Sequence, residues 1–199
     1  MEDIWAWADT FELSEEQVPR DVIPLLALTE LKAIEKNITE VPKSISNLKN
    51  LKLLNLSENY ELKALPESIG KLIHLEELYL NALSLKKLPK NLTNLTNLKI
   101  LNLAQNYDLK KLPENIDELA NLEGLILSEV PLKSLPENII KLGNLRSLDL
   151  SNVPLSQFPE NMTNLKKLTK LDLSGINLYE FPSWILELSE LTFLSLNEV

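Results

Sequence analysis

Leu135-Pro136-Glu137-Asn138-Ile139-Ile140-Lys141-Leu142-Gly143-Asn144-Leu145-Arg146-Ser147-Leu148-Asp149-Leu150 holds two periodicities back to back. In its first half Ile139 and Leu142 fall three apart, as on a short helix or 3₁₀ turn. In its second half Leu148, Asp149 and Leu150 alternate as in a strand with one buried face. Pro136 is expected to open the turn, because its missing N–H would be unpaired at the first helical position. Glu137 follows, where a negative charge meets the positive end of the turn, and Glu67, Glu114 and Glu160 repeat the arrangement.

The pattern recurs along the chain. Pro42, Pro66, Pro89, Pro113, Pro136, Pro159 and Pro182 each follow an apolar residue, at spacings of 24, 23, 24, 23, 23 and 23. Aligned on them, the unit reads L-x-x-L-x-L-x-x-(N/apolar)-x-L-x-x-L-P-x-x-I-x-x-L-x-x. Units begin at Leu28, Leu51, Leu75, Leu98, Leu122, Leu145, Leu168 and Leu191; seven are complete and the eighth stops at Val199, its ninth position. One coil cannot bury its leucines alone. Stacked coils share a continuous core, with parallel strands ~4.8 Å apart on a concave face and the short turns on the convex side.

These residues resemble the leucine-rich repeat family, in its intracellular class with L-P-x-x-I in the second half of each unit. The resemblance covers residues 28–199. It implies an α/β solenoid: a horseshoe with a parallel β-sheet on its concave face, short helices or 3₁₀ turns on its convex face, and a non-catalytic role in binding a partner protein. A short stand-alone array of this kind is most similar to bacterial members, which implies a cytoplasmic protein, with an effector secreted without a signal peptide, or an enzyme inhibitor, as the alternatives. In the family, asparagines at the ninth position stack and bond neighbouring coils. Here only Asn59 and Asn106 occupy it, in the two 24-residue units, and Lys36, Leu83, Val130, Val153, Ile176 and Val199 take the other places. Residues 51–97 and 98–144 thus form a two-coil repeat, read as the relic of a duplication; the inserted residue is expected to push Tyr60 and Tyr107 outward, with partner contact through them, as secondary candidates, the alternative.

Composition narrows the function. Of 199 residues 47 are leucine, 20 asparagine, 4 glycine and none cysteine, and the net charge is −9. That charge has the wrong sign for binding through nucleic-acid phosphates. Without cysteine, and with His74 as the one histidine, neither a thiolate or His-rich metal site nor a His-based triad can be built, so no enzyme activity, metal or cofactor is expected. No apolar run reaches the ~20 residues of a membrane-spanning helix, and the acidic start is unlike a secretory signal.

Residues 1–27 fall outside the repeat. Ile4, Trp5, Ala8 and Phe11 recur at helical spacing, and Ser14-Glu15-Glu16-Gln17 has the form of a capping box. A helical cap over the first coil is expected, with Trp5 or Trp7 as a partner-binding hot spot the alternative. The far end shows no cap: Leu191, Leu194, Leu196 and Val199 form an open strand that invites a homodimer.

Residues flanking the second leucine of each unit should face the concave side. On coils two to five these include Leu53, Tyr79, Ile100 and Ile126, an apolar cluster with Asn55, Glu77, Asn102, Asp149 and Asp172 as polar companions. Anchors ringed by polar groups are how interfaces concentrate their energy; scattered surface apolars are the plainer alternative. A second stripe, Lys63, Lys86, Lys110 and Lys133, is expected to be a solvated ridge partly paired with Glu67, Glu114 and Glu137, with an anionic partner as the alternative.

Overall fold

The computed structural model describes residues 1–178 and 180–197. Among them, strands β1 (Glu30–Lys32), β2 (Leu53–Asn55), β3 (Glu77–Tyr79), β4 (Ile100–Asn102), β5 (Gly124–Ile126), β6 (Ser147–Asp149), β7 (Lys170–Asp172) and β8 (Phe193–Ser195) form one sheet in chain order. All neighbours are parallel and in the same register, so Leu31, Leu54, Leu78, Leu101, Leu125, Leu148, Leu171 and Leu194 make one row. From Leu31 to Leu171 that row is buried, while its strand neighbours look out of the sheet, as period-two alternation demands. This is the leucine-rich repeat solenoid.

The convex turns are 3₁₀ throughout, from Lys43–Asn47 to Ser183–Glu187. The proline sits one residue earlier than expected. Pro42, Pro66, Pro136 and Pro182 have extended backbone before the turn, and their carbonyls accept its first hydrogen bond, as from Ile45, Ile69, Ile139 and Ile185 at 3.0 Å. Glu67 likewise serves the next coil, not its own turn: its carboxylate accepts the N–H of Lys90 at 3.2 Å and of Asn91 at 3.0 Å. Gly70 lets these two coils close up, for a Cβ there would lie 2.0 Å from the Asn91 carbonyl oxygen.

Beyond each strand the eighth residue of the coil is left-handed: Glu35, Glu58, Ala82, Gln105, Glu129, Asn152 and Gly175 have φ between 53° and 70°. That twist aims each N–H at the following coil, onto the carbonyls of Ser57, Asn81, Ala104, Ser128, Ser151, Ser174 and Asn197 at 2.7–3.1 Å.

The two long coils turn differently from the short ones. In the short coils five and six a backbone bond spans three residues, Leu132 N to Val130 O at 2.7 Å and Leu155 N to Val153 O at 2.8 Å. In the long coils the corresponding bond spans four, Leu62 N to Asn59 O at 2.9 Å and Leu109 N to Asn106 O at 3.0 Å, with Tyr60-Glu61 and Tyr107-Asp108 filling the wider turn. Asn59, fully buried, donates from Nδ2 to Ala33 O at 2.8 Å and Leu56 O at 2.7 Å, and accepts at Oδ1 from Lys36 N at 3.0 Å and Ile38 N at 2.9 Å. Asn106 repeats this on Leu80 O, Leu103 O and Leu85 N. Each asparagine therefore fastens its coil to the one before it.

At the N-terminal end, α1 (Glu2–Thr10) buries Ile4, Trp7 and Ala8 in the same core as Leu31 and Ile45. Trp7 rather than Trp5 is the more deeply buried ring; their Nε1 atoms donate to Glu40 O at 2.7 Å and Pro19 O at 2.9 Å. Both indoles are thus committed to the fold. Ser14 and Gln17 exchange reciprocal bonds as a capping box does, at 3.0 and 3.3 Å, around a single turn, and α2 (Val22–Leu26) follows.

Candidate protein-binding face

The unshifted register brings the concave candidates together in two columns. One runs Leu53, Glu77, Ile100, Gly124, Ser147; the other runs Asn55, Tyr79, Asn102, Ile126, Asp149, Asp172. Leu53, Tyr79, Ile100 and Ile126 are half-buried and alternate between the two columns on successive strands. The Tyr79 hydroxyl donates to Glu77 Oε2 at 2.8 Å; burial, and then that carboxylate, push its pKa up to about 12, so the phenol stays a neutral donor.

The polar companions have a structural duty that the sequence reading did not assign. Asn55 Oδ1 accepts the N–H and Oγ–H of Ser57, and Asp149 Oδ1 those of Ser151. Asn102 and Asp172 accept the N–H of Ala104 and Ser174. Each thus closes the end of its own strand with one oxygen, as an Asx turn does, and keeps its second polar atom for the face.

Two ladders escaped the sequence reading. At the N-terminal ends of the strands Lys52, Glu76, Lys99, Glu123 and Arg146 alternate in sign, with Glu76 3.5 Å from Lys52 and 2.6 Å from Lys99, and Arg146 3.7 Å from Glu123. The Lys99 hydrogen bond holds the Glu76 carboxyl below its usual range, and Glu76 raises Lys99. Just before the first leucine of a coil, Asn97, Asn121 and Asn144 donate to the Ile73, Thr96 and Ala120 carbonyls of the coil before, and Asn50 to the Leu26 carbonyl at the end of α2, all at 2.8–2.9 Å. The recurring Asn-Leu pair was the available signal. A third feature, the edge-to-face pair Phe158–Trp184 with rings 5.3 Å apart, lines a groove of about 490 Å³ with Phe181. Its signal was phenylalanine in place of leucine before Pro159 and Pro182.

Tyr60 and Tyr107 stand 61% and 63% exposed, and the Tyr107 hydroxyl donates to Glu129 at 2.8 Å. The lysine ridge is exposed, and only its pairing differs from expectation. Lys63 lies 3.3 Å from Glu61, and among the described residues Lys86, Lys110 and Lys133 make no ion pair, because Glu67 is spent on backbone amides and Glu114 and Glu137 lie out of reach. On β8, Phe193 is 51% and Leu194 37% exposed and Leu191 and Leu196 are half-buried; Val199 lies outside the described residues. Among the described residues no group of three His, Asp or Glu is placed to hold a metal ion, and no helix is long and apolar enough to cross a membrane.

Unshifted parallel strands, 3₁₀ convex turns and coil-bridging asparagines define a leucine-rich repeat protein, a scaffold typical of protein-interaction modules. The chain belongs to the Zer-1-like leucine-rich repeats, whose profile matches residues 89–192, and residues 50–72 match a general leucine-rich repeat. No curated protein sequence matches it. Among solved structures it is similar to the plant peptide hormone receptor RGFR1 in complex with RGF2, at 29% identity and TM-score 0.68 over 86% of this chain and 32% of the receptor. The chain thus spans about a third of that receptor's length. The functional domain of InlJ from Listeria monocytogenes shares the fold at 23% identity and TM-score 0.68, over 87% of this chain and 41% of that one. So does the leucine-rich repeat domain of the type III effector XopL, at 21% and 0.60, over 95% and 88%.

Proposed function

We propose that this protein is a non-catalytic recognition module that holds a partner protein on its concave face. The observation that carries the reading is the cluster of Leu53, Tyr79, Ile100 and Ile126, half-buried in register on four adjacent strands, with Asn55, Glu77, Asn102, Asp149 and Asp172 beside it. Such a patch gives apolar anchors within a polar surround. The similar plant receptor, in complex with RGF2, lends support to polypeptide recognition on this scaffold. The test is crosslinking in the native cell with wild type and Tyr79→Ala/Ile126→Asp. Loss of the major crosslinked partner is expected, and equal recovery by both forms would refute the reading.

A second association is favoured by β8, whose Leu194 is exposed where the equivalent leucines of other coils are buried. Two copies pairing through Leu191, Leu194 and Leu196 would cover it. Light scattering should then show a dimer that Leu194→Lys disperses; a monomer at high concentration removes this association. Residues 1–27 serve, in this reading, as the cap of the first coil.

A further inference from the structure

Gly124 is the one glycine within a strand among the described residues, and nothing in the fold requires it. Gly70 is needed because the Asn91 backbone sits where its side chain would be, and Gly175 has φ +70°. At Gly124 the backbone is not left-handed, and an added Cβ would meet only Ile100 Cγ1, at 3.9 Å. A strand glycine weakens its sheet, and where packing does not demand it, it marks a place where something else approaches closely. The missing side chain leaves a shallow gap between Ile100 on β4 and Ser147 on β6, floored by the buried Gly124 backbone, with Ile126 alongside.

The acidic pair lies next to this gap. Asp149 and Asp172 are directly opposite each other on β6 and β7, and each has one oxygen bonded to its own turn. Among the described residues neither carboxylate is in an ion pair, although Lys170 lies two residues from Asp172. Like charges directly opposite on adjacent strands repel, and a cation laid across them removes that cost.

We propose that the concave face takes an extended protein segment that seats a bulky apolar side chain over Gly124 and sets an arginine or lysine across Asp149 and Asp172. This rests on the concave-face reading and names its ligand. The two seats lie one to two strands apart, roughly 5–10 Å, and an extended segment rises ~3.3 Å per residue. The basic residue therefore falls two or three positions from the apolar one. Arginine suits the pair better, since its planar fork reaches two carboxylates at once while its stem lies on Ile126.

The test pans displayed random dodecapeptides on the whole chain, then measures the enriched peptide by fluorescence anisotropy. Enriched sequences should carry an aromatic or branched aliphatic residue two or three positions from arginine or lysine. Gly124→Val should weaken binding by about tenfold or more, as filling a pocket does, with a melting midpoint unchanged or raised. Asp149→Asn/Asp172→Asn should weaken it roughly threefold to fivefold and abolish its salt dependence. Peptides without the paired pattern, no enriched peptide, or equal affinity for Gly124→Val and wild type would overturn the proposal. If Gly124→Val binds normally while Tyr79→Ala/Ile126→Asp does not, the seat is wrong and the concave reading stands. If both bind normally, both fall.

Discussion

Replacing Asn59 with leucine removes a buried amide and little volume, and the cost follows from its four shortest hydrogen bonds. Ala33 O, Leu56 O, Lys36 N and Ile38 N bond to this side chain, and all would lose that partner, Lys36 N at the edge of the core and the others within it. At a net ~1 kcal/mol per hydrogen bond the loss is about 4 kcal/mol. That is a large share of the roughly 5–15 kcal/mol that holds a domain together. Urea unfolding followed by circular dichroism reads it as a lowered midpoint, and a thermal scan as a fall of roughly 8–16 °C for a chain of this size. Asn106→Leu should cost less, about 3 kcal/mol, because three strong partners are at stake rather than four. Asn59→Val combined with deletion of Tyr60 should recover part of the loss, by recasting the four-residue turn as the three-residue turn of Val130–Leu132. Asn59→Leu within about 1 kcal/mol of wild type would refute the argument, since the short-coil and long-coil geometries would then be interchangeable.

Gly70→Ala should destabilise by about 1–3 kcal/mol, because its Cβ collides with the Asn91 backbone and the coils must part. Ala82→Gly should stabilise by about 0.5–1 kcal/mol: a left-handed L residue is strained by roughly 1–2 kcal/mol and glycine returns only part of that as entropy. Both are checked by urea midpoint. Glu76 has a folded pKa below 4.5, so its ion pairs stabilise above that value and the contribution is lost as pH falls through the depressed pKa. Glu76→Gln should therefore lower the urea midpoint at about pH 6, and the difference from wild type should shrink as acid protonates Glu76. Trp7→Ala should cost about 3–5 kcal/mol, visible as a lowered melting midpoint, because it empties a core site and strands Glu40 O.

The spacing of leucines and prolines made the solenoid legible, because strand alternation and turn period are local properties carried to the sheet by repetition. The same arithmetic placed Tyr79 beside Asn102 and Asp149 beside Asp172 without coordinates. What stayed hidden depends on partners in another coil. Asn97 before Leu98 looks like an ordinary polar loop residue until the Ile73 carbonyl arrives from the coil before it. Glu67 looks like a cap for its own turn, yet it reaches the amides of the next. Trp5 and Trp7 are two residues apart on a helix, and only the docking of α1 decides which ring is more deeply buried.

The alternating charges at the strand ends carry a rule of parity. Excising residues 75–97 would bring Lys52 against Lys99 and leave Leu85, the customer of Asn106, out of the chain. Excising residues 75–121 would bring Lys52 against Glu123 and keep the signs alternating. Across these coils the alternation of charge survives gain or loss in pairs, not singly. The array's natural unit of growth is the doublet, one short coil and one long, with opposite charges at their strand ends.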